Sequence, residues 1–201
     1  MTTDKIELRW EWRCFAPSLA ALECALHIAD DASPSESNET YILALTGFVV
    51  DNVKIRDDVL EVKRLLQTDA NGLEQWEPVL KARFPISRED VDAALAGLAL
   101  SPAASPRGSF TVVQFLDEIV EPCPDFRAVK VHKSRSHLTV NECSAELVQL
   151  SAASVALQSF ALEHEDPGHV LRALRSLGLD SQANMNYPRG LKRALGFEAA
   201  S

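Results

Sequence analysis

Residues 6–15 alternate with a period of two: Ile6, Leu8, Trp10, Trp12 and Cys14 fall on one face, and Glu7, Arg9, Glu11 and Arg13 on the other. Successive side chains of a strand point to opposite sides, so this segment predicts a strand with one apolar and one charged face. Behind Pro17 the period lengthens, and Leu19, Leu22 and Leu26 predict a helix over 18–28. The acidic, Ser-rich stretch 29–40 reads as a loop, and the apolar run 41–50 predicts a strand broken by Asp51 and Asn52. Segments 53–56 and 60–65 read as two short strands of a hairpin turning at Asp57 and Asp58. Residues 69–72 read as a further turn, and 74–84 as an extended or irregular piece ending at Pro85.

Ser87 followed by Asp90 has the form of a capping box and predicts a helix running to Leu98. The stretch 101–109, with two prolines and a glycine, reads as a linker, and Val112, Phe115, Leu116 and Ile119 predict a helix over 110–120. Three more strands are predicted at 126–140, 142–150 and 155–165, separated by Asn141 and by 151–154. Asp166 before Pro167 is an N-cap followed by proline at the first helical position; that helix is predicted to stop at Gly178. A last short helix is predicted from about Pro188 to Gly196. Many antiparallel strands with helices inserted between them make an α+β chain. At 201 residues one domain over 1–201 is expected, with a helical or irregular insertion at about 66–125 and C-terminal helices over 166–197.

Charge changes this picture once it is sorted by segment. The chain carries 20 Lys and Arg against 29 Asp and Glu, a net charge of -9, which argues against double-stranded nucleic acid and an anionic membrane as partners. The acid excess is uneven, however. Blocks 1–40 and 66–125 hold eight and ten acids against three and four bases, whereas the strand-rich blocks 41–65 and 126–165 are balanced at four against four. No apolar run is long enough for a membrane span, and charges at Asp4, Lys5, Glu7, Arg9 and Glu11 interrupt the N-terminus where a secretory leader would be apolar. Cys14, Cys24, Cys123 and Cys143 form no close-spaced pair, so reduced thiols and a cytoplasmic location are expected.

Within the strands the charges keep to one face. Lys54 shares a face with Arg56, Glu61 with Lys63, and Lys133 with Arg127 and Arg135; Glu146, Glu163 and Glu165 mark the late strands. Two architectures accommodate such faces: a half-exposed sheet with a wet outer side, and a barrel with a polar lumen and its apolar side turned outward under helices. Alternation alone leaves both open. Trp10 and Trp12 suit the barrel, because they need a large surface to pack against.

The ordered set of a charged first strand, paired basic strands, a late Glu-x-Glu strand and a following helix resembles the CYTH, or triphosphate tunnel metalloenzyme, superfamily. The family's opening ExExK motif falls on Arg9-Trp10-Glu11-Trp12-Arg13, with Arg9 standing in place of the first glutamate and Arg13 in place of the lysine. The resemblance implies an antiparallel β-barrel, or tunnel, with a charged lumen flanked by helices. It implies Glu11, Glu146, Glu163 and Glu165 as ligands of Mg²⁺ or Mn²⁺, with Glu11 and Glu163 catalytic. It also implies Arg9, Arg13, Lys54, Arg56, Lys63, Lys133 and Arg135 as phosphate-binding groups.

The implied activity is metal-dependent hydrolysis of inorganic triphosphate or a small organic triphosphate. A non-catalytic barrel that binds a phosphorylated small molecule or polyphosphate is the alternative, and a homodimer is left open. The chemistry is coherent, since phosphoanhydride cleavage needs positioning and charge neutralisation more than covalent help. A second cluster, His164, Glu165, Asp166 and His169, spans a strand end and a helix start, a poor frame for a metal site.

Overall fold

The computed structural model describes residues 8–26, 34–45, 51–98 and 106–197. In chain order these form β1 (Trp10–Ala16), α1 (Ala20–Ala25), β2 (Ser35–Ala44), β3 (Asp51–Arg56), β4 (Val59–Thr68) and β5 (Glu74–Arg83). There follow β6 (Ile86–Ser87), α2 (Arg88–Leu95), β7 (Ser109–Phe110) and α3 (Val112–Phe115), the last continued by a π-helical turn over Leu116–Val120. The chain then forms β8 (Phe126–Val140), β9 (Cys143–Ala152), β10 (Val155–His164), α4 (Pro167–Ser176) and α5 (Tyr187–Ala194).

Eight strands close into an antiparallel barrel in the order β1-β10-β9-β8-β2-β3-β4-β5, while β6 and β7 form a separate ribbon. Closure decides between the two architectures, because the strands' second face now turns into a lumen. The hairpins follow local chemistry: Asp57 and Asp58 both take positive φ (52° and 56°), as do Asn141 and Glu142 (46° and 69°), the backbone that a two-residue turn between right-twisted strands requires. Ser87 and Asp90 complete the expected capping box of α2, and Asp166 caps α4 through the Gly168 amide.

Three differences from the sequence reading concern the barrel itself. Residues 35–40, read as loop, are the first part of β2, and the strand predicted over 41–50 ends at Ala44, with 46–50 outside the described residues. The block 66–125, read as an insertion, supplies the end of β4 and the whole of β5, a barrel strand paired with β4 and β1. Only the part after β5 is a helical appendage.

Both outer flanks of the barrel are apolar and covered. On one, Ile42, Val53, Ile55, Leu60 and Val62 pack under α2, α3 and the π-turn through Val91, Leu95, Phe115 and Ile119. On the other, Trp12, Cys143, Ala145, Phe160 and Leu162 pack under α4 through Val170, Ala173 and Leu174. A third apolar cluster lies inside, where Tyr187 and Leu191 of α5 meet Tyr41, Val129, Val148 and Leu150. Helix α5 therefore plugs one end of the lumen, and the charges line the remainder.

The seam between β1 and β5 is only two residues long, Trp10 opposite Gln75 and Glu11 opposite Glu74. Beyond it β1 would leave backbone groups unpaired, which buried chains avoid. The segment before α5 fills the gap: the Met185 amide donates to the Arg13 carbonyl (2.8 Å), and the Arg13 amide donates to Asn184 Oδ1 (2.7 Å). Asn184 Nδ2 in turn donates to the Gly72 carbonyl (2.9 Å), lacing β1 to the β4–β5 turn. At Gly190 helix α5 passes so close to Phe15 that an added Cβ would lie 2.4–2.7 Å from three of its ring atoms. Gly190→Ala is expected to cost about 1–3 kcal/mol by overpacking despite alanine's better helix propensity. Gly108→Ala, whose Cβ would meet nothing, should be near neutral. Urea denaturation of the two variants checks this.

Candidate functional site

Inward-facing positions follow from register. On β1 they are Glu11 and Arg13; Glu11 lies opposite Glu163 of β10, and Glu146 of β9 lies opposite Ala161. On β8 they are Lys133 and Arg135, and on β2 Glu39 and Tyr41; Lys54 of β3 lies between Tyr41 and Glu61 of β4. These groups converge on one cavity of about 220 Å³. Its cations are Arg13, Lys54, Arg56, Lys63, Lys133 and Arg135, and its carboxylates Glu11, Glu61, Glu146 and Glu163.

The charges form a belt of alternating sign around the lumen. Glu11 accepts from Arg13 Nε (2.9 Å), Arg13 Nη1 reaches Glu146 (3.2 Å), and Glu146 faces Arg135 Nε (3.4 Å). Arg135 Nη2 donates to Glu39 (2.5 Å), Glu39 faces Lys54 (3.3 Å), and Glu61 faces both Lys54 (3.4 Å) and Arg56 (2.9 Å). The belt thus runs through β1, β9, β8, β2, β3 and β4. Alternation makes it tolerable, since a buried charge is costly unless paired.

Glu39 is the hub. Its side chain is fully buried, with Lys133 Nζ at 2.9 Å, Arg135 and Lys54 as above, and Arg56 at 3.7 Å. Burial alone would raise its carboxyl pKa, but Lys133, Lys54 and Arg135 outweigh that and hold it far below the usual range. Lys133 is almost as deeply buried and donates to the Tyr41 hydroxyl at 2.6 Å. Burial, reinforced by the charge of Lys54 and opposed by Glu39, lowers its pKa to about 7.

Two charged groups stand outside the belt. No hydrogen bond or ion pair joins Glu163 or Lys63 to another described side chain, although Lys63 is close enough to bias Glu163. Burial, and then the facing carboxylate of Glu11, raise the Glu163 pKa. A carboxylate pair facing across adjacent strands is the chemistry that a hard divalent cation relieves, and magnesium often takes only one or two protein carboxylates.

Glu11 and Glu163 therefore fit the metal that the resemblance implies. Glu146 lines the same cavity and, like Glu11, is engaged by Arg13, and by Arg135 as well. Among the described residues no three metal-ligating side chains converge, so such an ion would need water or ligand oxygens to complete its shell.

Two of the candidate residues are placed elsewhere. Arg9 is exposed ahead of β1, and Glu165 is exposed one residue beyond the end of β10; neither lines the cavity. The other nine candidates all do. His164 and His169 stack with ring centroids 4.2 Å apart on the outside, and Asp166 serves α4 as its cap. Sequence reasoning passed over Glu39, Glu61, Tyr41, Asn186 and Tyr187 as site residues. The polar alternation of Ser35, Ser37 and Glu39 is the signal that could have found the hub.

No protein-family model matches the chain, and no curated protein matches it. Among solved structures the chain is similar to a conserved hypothetical protein of Pyrococcus furiosus, at 12% identity over 90% of this chain and 96% of that one, with a TM-score of 0.49. It is similar to the PH1012 protein of Pyrococcus horikoshii at 10% identity over 91% and 98% of the two chains, TM-score 0.48. A third is HpAC1 of Hippeastrum, described with a dominant triphosphatase activity, at 13% identity over 87% and 89%, TM-score 0.42. Each likeness covers most of both chains at low identity.

Proposed function

We propose that the barrel takes up a small polyphosphate, inorganic triphosphate or the triphosphate end of a small organic molecule, and hydrolyses it with a divalent metal. The observation that carries this reading is the convergence of six cations on one cavity in a protein whose net charge is -9. At about 220 Å³ the cavity is below the roughly 300–1,000 Å³ of pockets for drug-sized molecules, which favours a compact ligand. With Glu39 included, six cations face five carboxylates, an excess of one positive charge. A triphosphate would overshoot that excess, and a divalent ion at Glu11 and Glu163 would redress it.

The cations have distinct tasks in this reading. Arg13, Arg56 and Arg135 present planar donor forks suited to phosphate oxygens, while Lys54, Lys63 and Lys133 act as point charges. Glu39 and Glu146 hold five of these cations in place before the ligand arrives, so little reorganisation accompanies binding. The plug formed by α5 closes one end and keeps bulk water from that side. Glu11 and Glu163 would hold Mg²⁺ or Mn²⁺, which when bound supplies charge neutralisation on the phosphates and lowers the pKa of an attacking water.

A second reading, a binder without turnover, is favoured by one feature. Arg13 already engages both Glu11 and Glu146, which leaves Glu163 as the one carboxylate of the candidate metal set in the cavity without an ion pair among the described residues. Phosphate release from tripolyphosphate, ATP and thiamine triphosphate with Mg²⁺, Mn²⁺ or EDTA separates the two. Metal-dependent turnover abolished in Glu163→Gln supports the hydrolase, and stabilisation by polyphosphate without turnover supports the binder. The same variant without metal should unfold no earlier than the wild type, because it loses a carboxylate disfavoured by burial and by Glu11. A lower melting temperature would show that Glu163 is a structural charge.

A further inference from the structure

Tyr187 is part of the cavity wall that the charge pattern did not reveal. It is 7% exposed, opens α5, and stacks on Tyr41 with centroids 5.6 Å apart and on Phe15 edge-on at 5.2 Å. Two of the site's cations lie against its ring, Lys133 Nζ at 3.6 Å and the Arg13 guanidinium carbon at 4.4 Å from the centroid. Its hydroxyl is buried and lies beside the Ser159 hydroxyl, without a well-aligned hydrogen bond to any described residue. The neighbouring Ser159 hydroxyl is engaged by Arg13 Nη1 at 2.9 Å. Burial, partly countered by Arg13, pushes the phenol up to about 12, so it is a proton donor at any working pH.

A buried hydroxyl without a well-aligned partner is costly and calls for a better one. Of the groups around it, Arg13, Arg135 and Glu146 line the cavity. We propose that Tyr187 is a ligand-binding residue: its hydroxyl donates to an oxygen of the bound phosphate chain, while its ring fixes Arg13 and Lys133 on either side of that oxygen. This rests on the cavity being a polyphosphate site. It also makes α5 part of that site, since the helix is delivered by its Asn186 cap, whose Nδ2 donates to Glu74 of β5 at 3.0 Å.

The test separates the hydroxyl from the ring. Tripolyphosphate is titrated by calorimetry into the wild type, Tyr187→Phe and Tyr187→Leu, each with its melting temperature. Tyr187→Phe keeps the ring and should lose about ten-fold in affinity, in line with one hydrogen bond to a charged acceptor, with its melting temperature unchanged or raised. Tyr187→Leu should lose more affinity and also melt earlier.

The chain has two tyrosines, so 3-fluorotyrosine labelling gives two ¹⁹F signals, the second assigned by its disappearance in Tyr187→Phe. Tripolyphosphate should move the Tyr187 signal. Full affinity in Tyr187→Phe, or a motionless Tyr187 signal in a protein that binds, overturns the role of Tyr187 and leaves the cavity reading standing. A wild type that binds neither tripolyphosphate, pyrophosphate nor orthophosphate overturns both.

Discussion

Replacing Glu39 by Gln is expected to be the most damaging single change in the molecule, costing about 3–5 kcal/mol of stability. The substitution preserves shape but removes the charge on which Lys133, Arg135, Lys54 and Arg56 converge. It leaves buried Lys133 without a carboxylate partner among the described residues, and the other three with only Glu146 or Glu61. The same reasoning sets the sign of the rescue. A polyphosphate in the cavity restores the missing negative charge, so it should stabilise Glu39→Gln by more than it stabilises the wild type. Thermal or urea denaturation with and without tripolyphosphate measures both.

Acid provides an independent check. Because the folded-state pKa of Glu39 is depressed, its contribution is present above the unfolded value of roughly 4.3 and is lost as pH falls through the folded value. Wild-type stability should therefore decline on acidification below about pH 4, and the decline should be shallower in Glu39→Gln.

Lys133 governs the second large effect, on binding. With its pKa drawn down to about 7 by burial, Lys133 is poised to lose its proton as pH rises. A bound polyanion favours the charged form, so binding should draw a proton onto Lys133, and affinity should fall as pH rises above 7. Lys133→Met should weaken tripolyphosphate binding by about 10- to 100-fold, the range for a hydrogen bond to a charged group. It should also reduce proton uptake relative to the wild type. Calorimetry at pH 7.5 in two buffers of different ionisation enthalpy gives that difference, and the comparison cancels the ligand's own titration. Equal proton uptake in both proteins would remove Lys133 from the binding event.

How far this could be read in advance depended on whether the forces involved were local. The hairpin at Asp57 and Asp58, the Ser87 box and the Asp166 cap are decided within a few residues, and each was visible in the chain. The inward set Arg13, Lys54, Arg56, Lys133 and Arg135 was visible too, because strand periodicity sorts side chains by face whichever way that face turns.

What failed to show was non-local. The stretch 35–40 lacks the apolar alternation of a strand because its inward side chains are Ser37 and Glu39, and what buries Glu39 comes from β8 and β3. Strand β5 was hidden for a related reason, since Glu74–Arg83 has largely polar or half-exposed side chains and pairs as a strand chiefly with β4. Arg9 and Glu165 show the limit of extrapolating a period. Each has the right parity for the lumen but lies one residue outside the paired part of its strand, where the barrel no longer dictates direction.

The central claim is that the lumen is a polyphosphate site, and titration of the wild-type protein with tripolyphosphate tests it most directly. The expected result is saturable one-to-one binding that weakens as salt is added, accompanied by a rise in melting temperature. No heat of binding and an unchanged melting temperature at low salt would contradict it, and would leave the charge belt as a structural network alone.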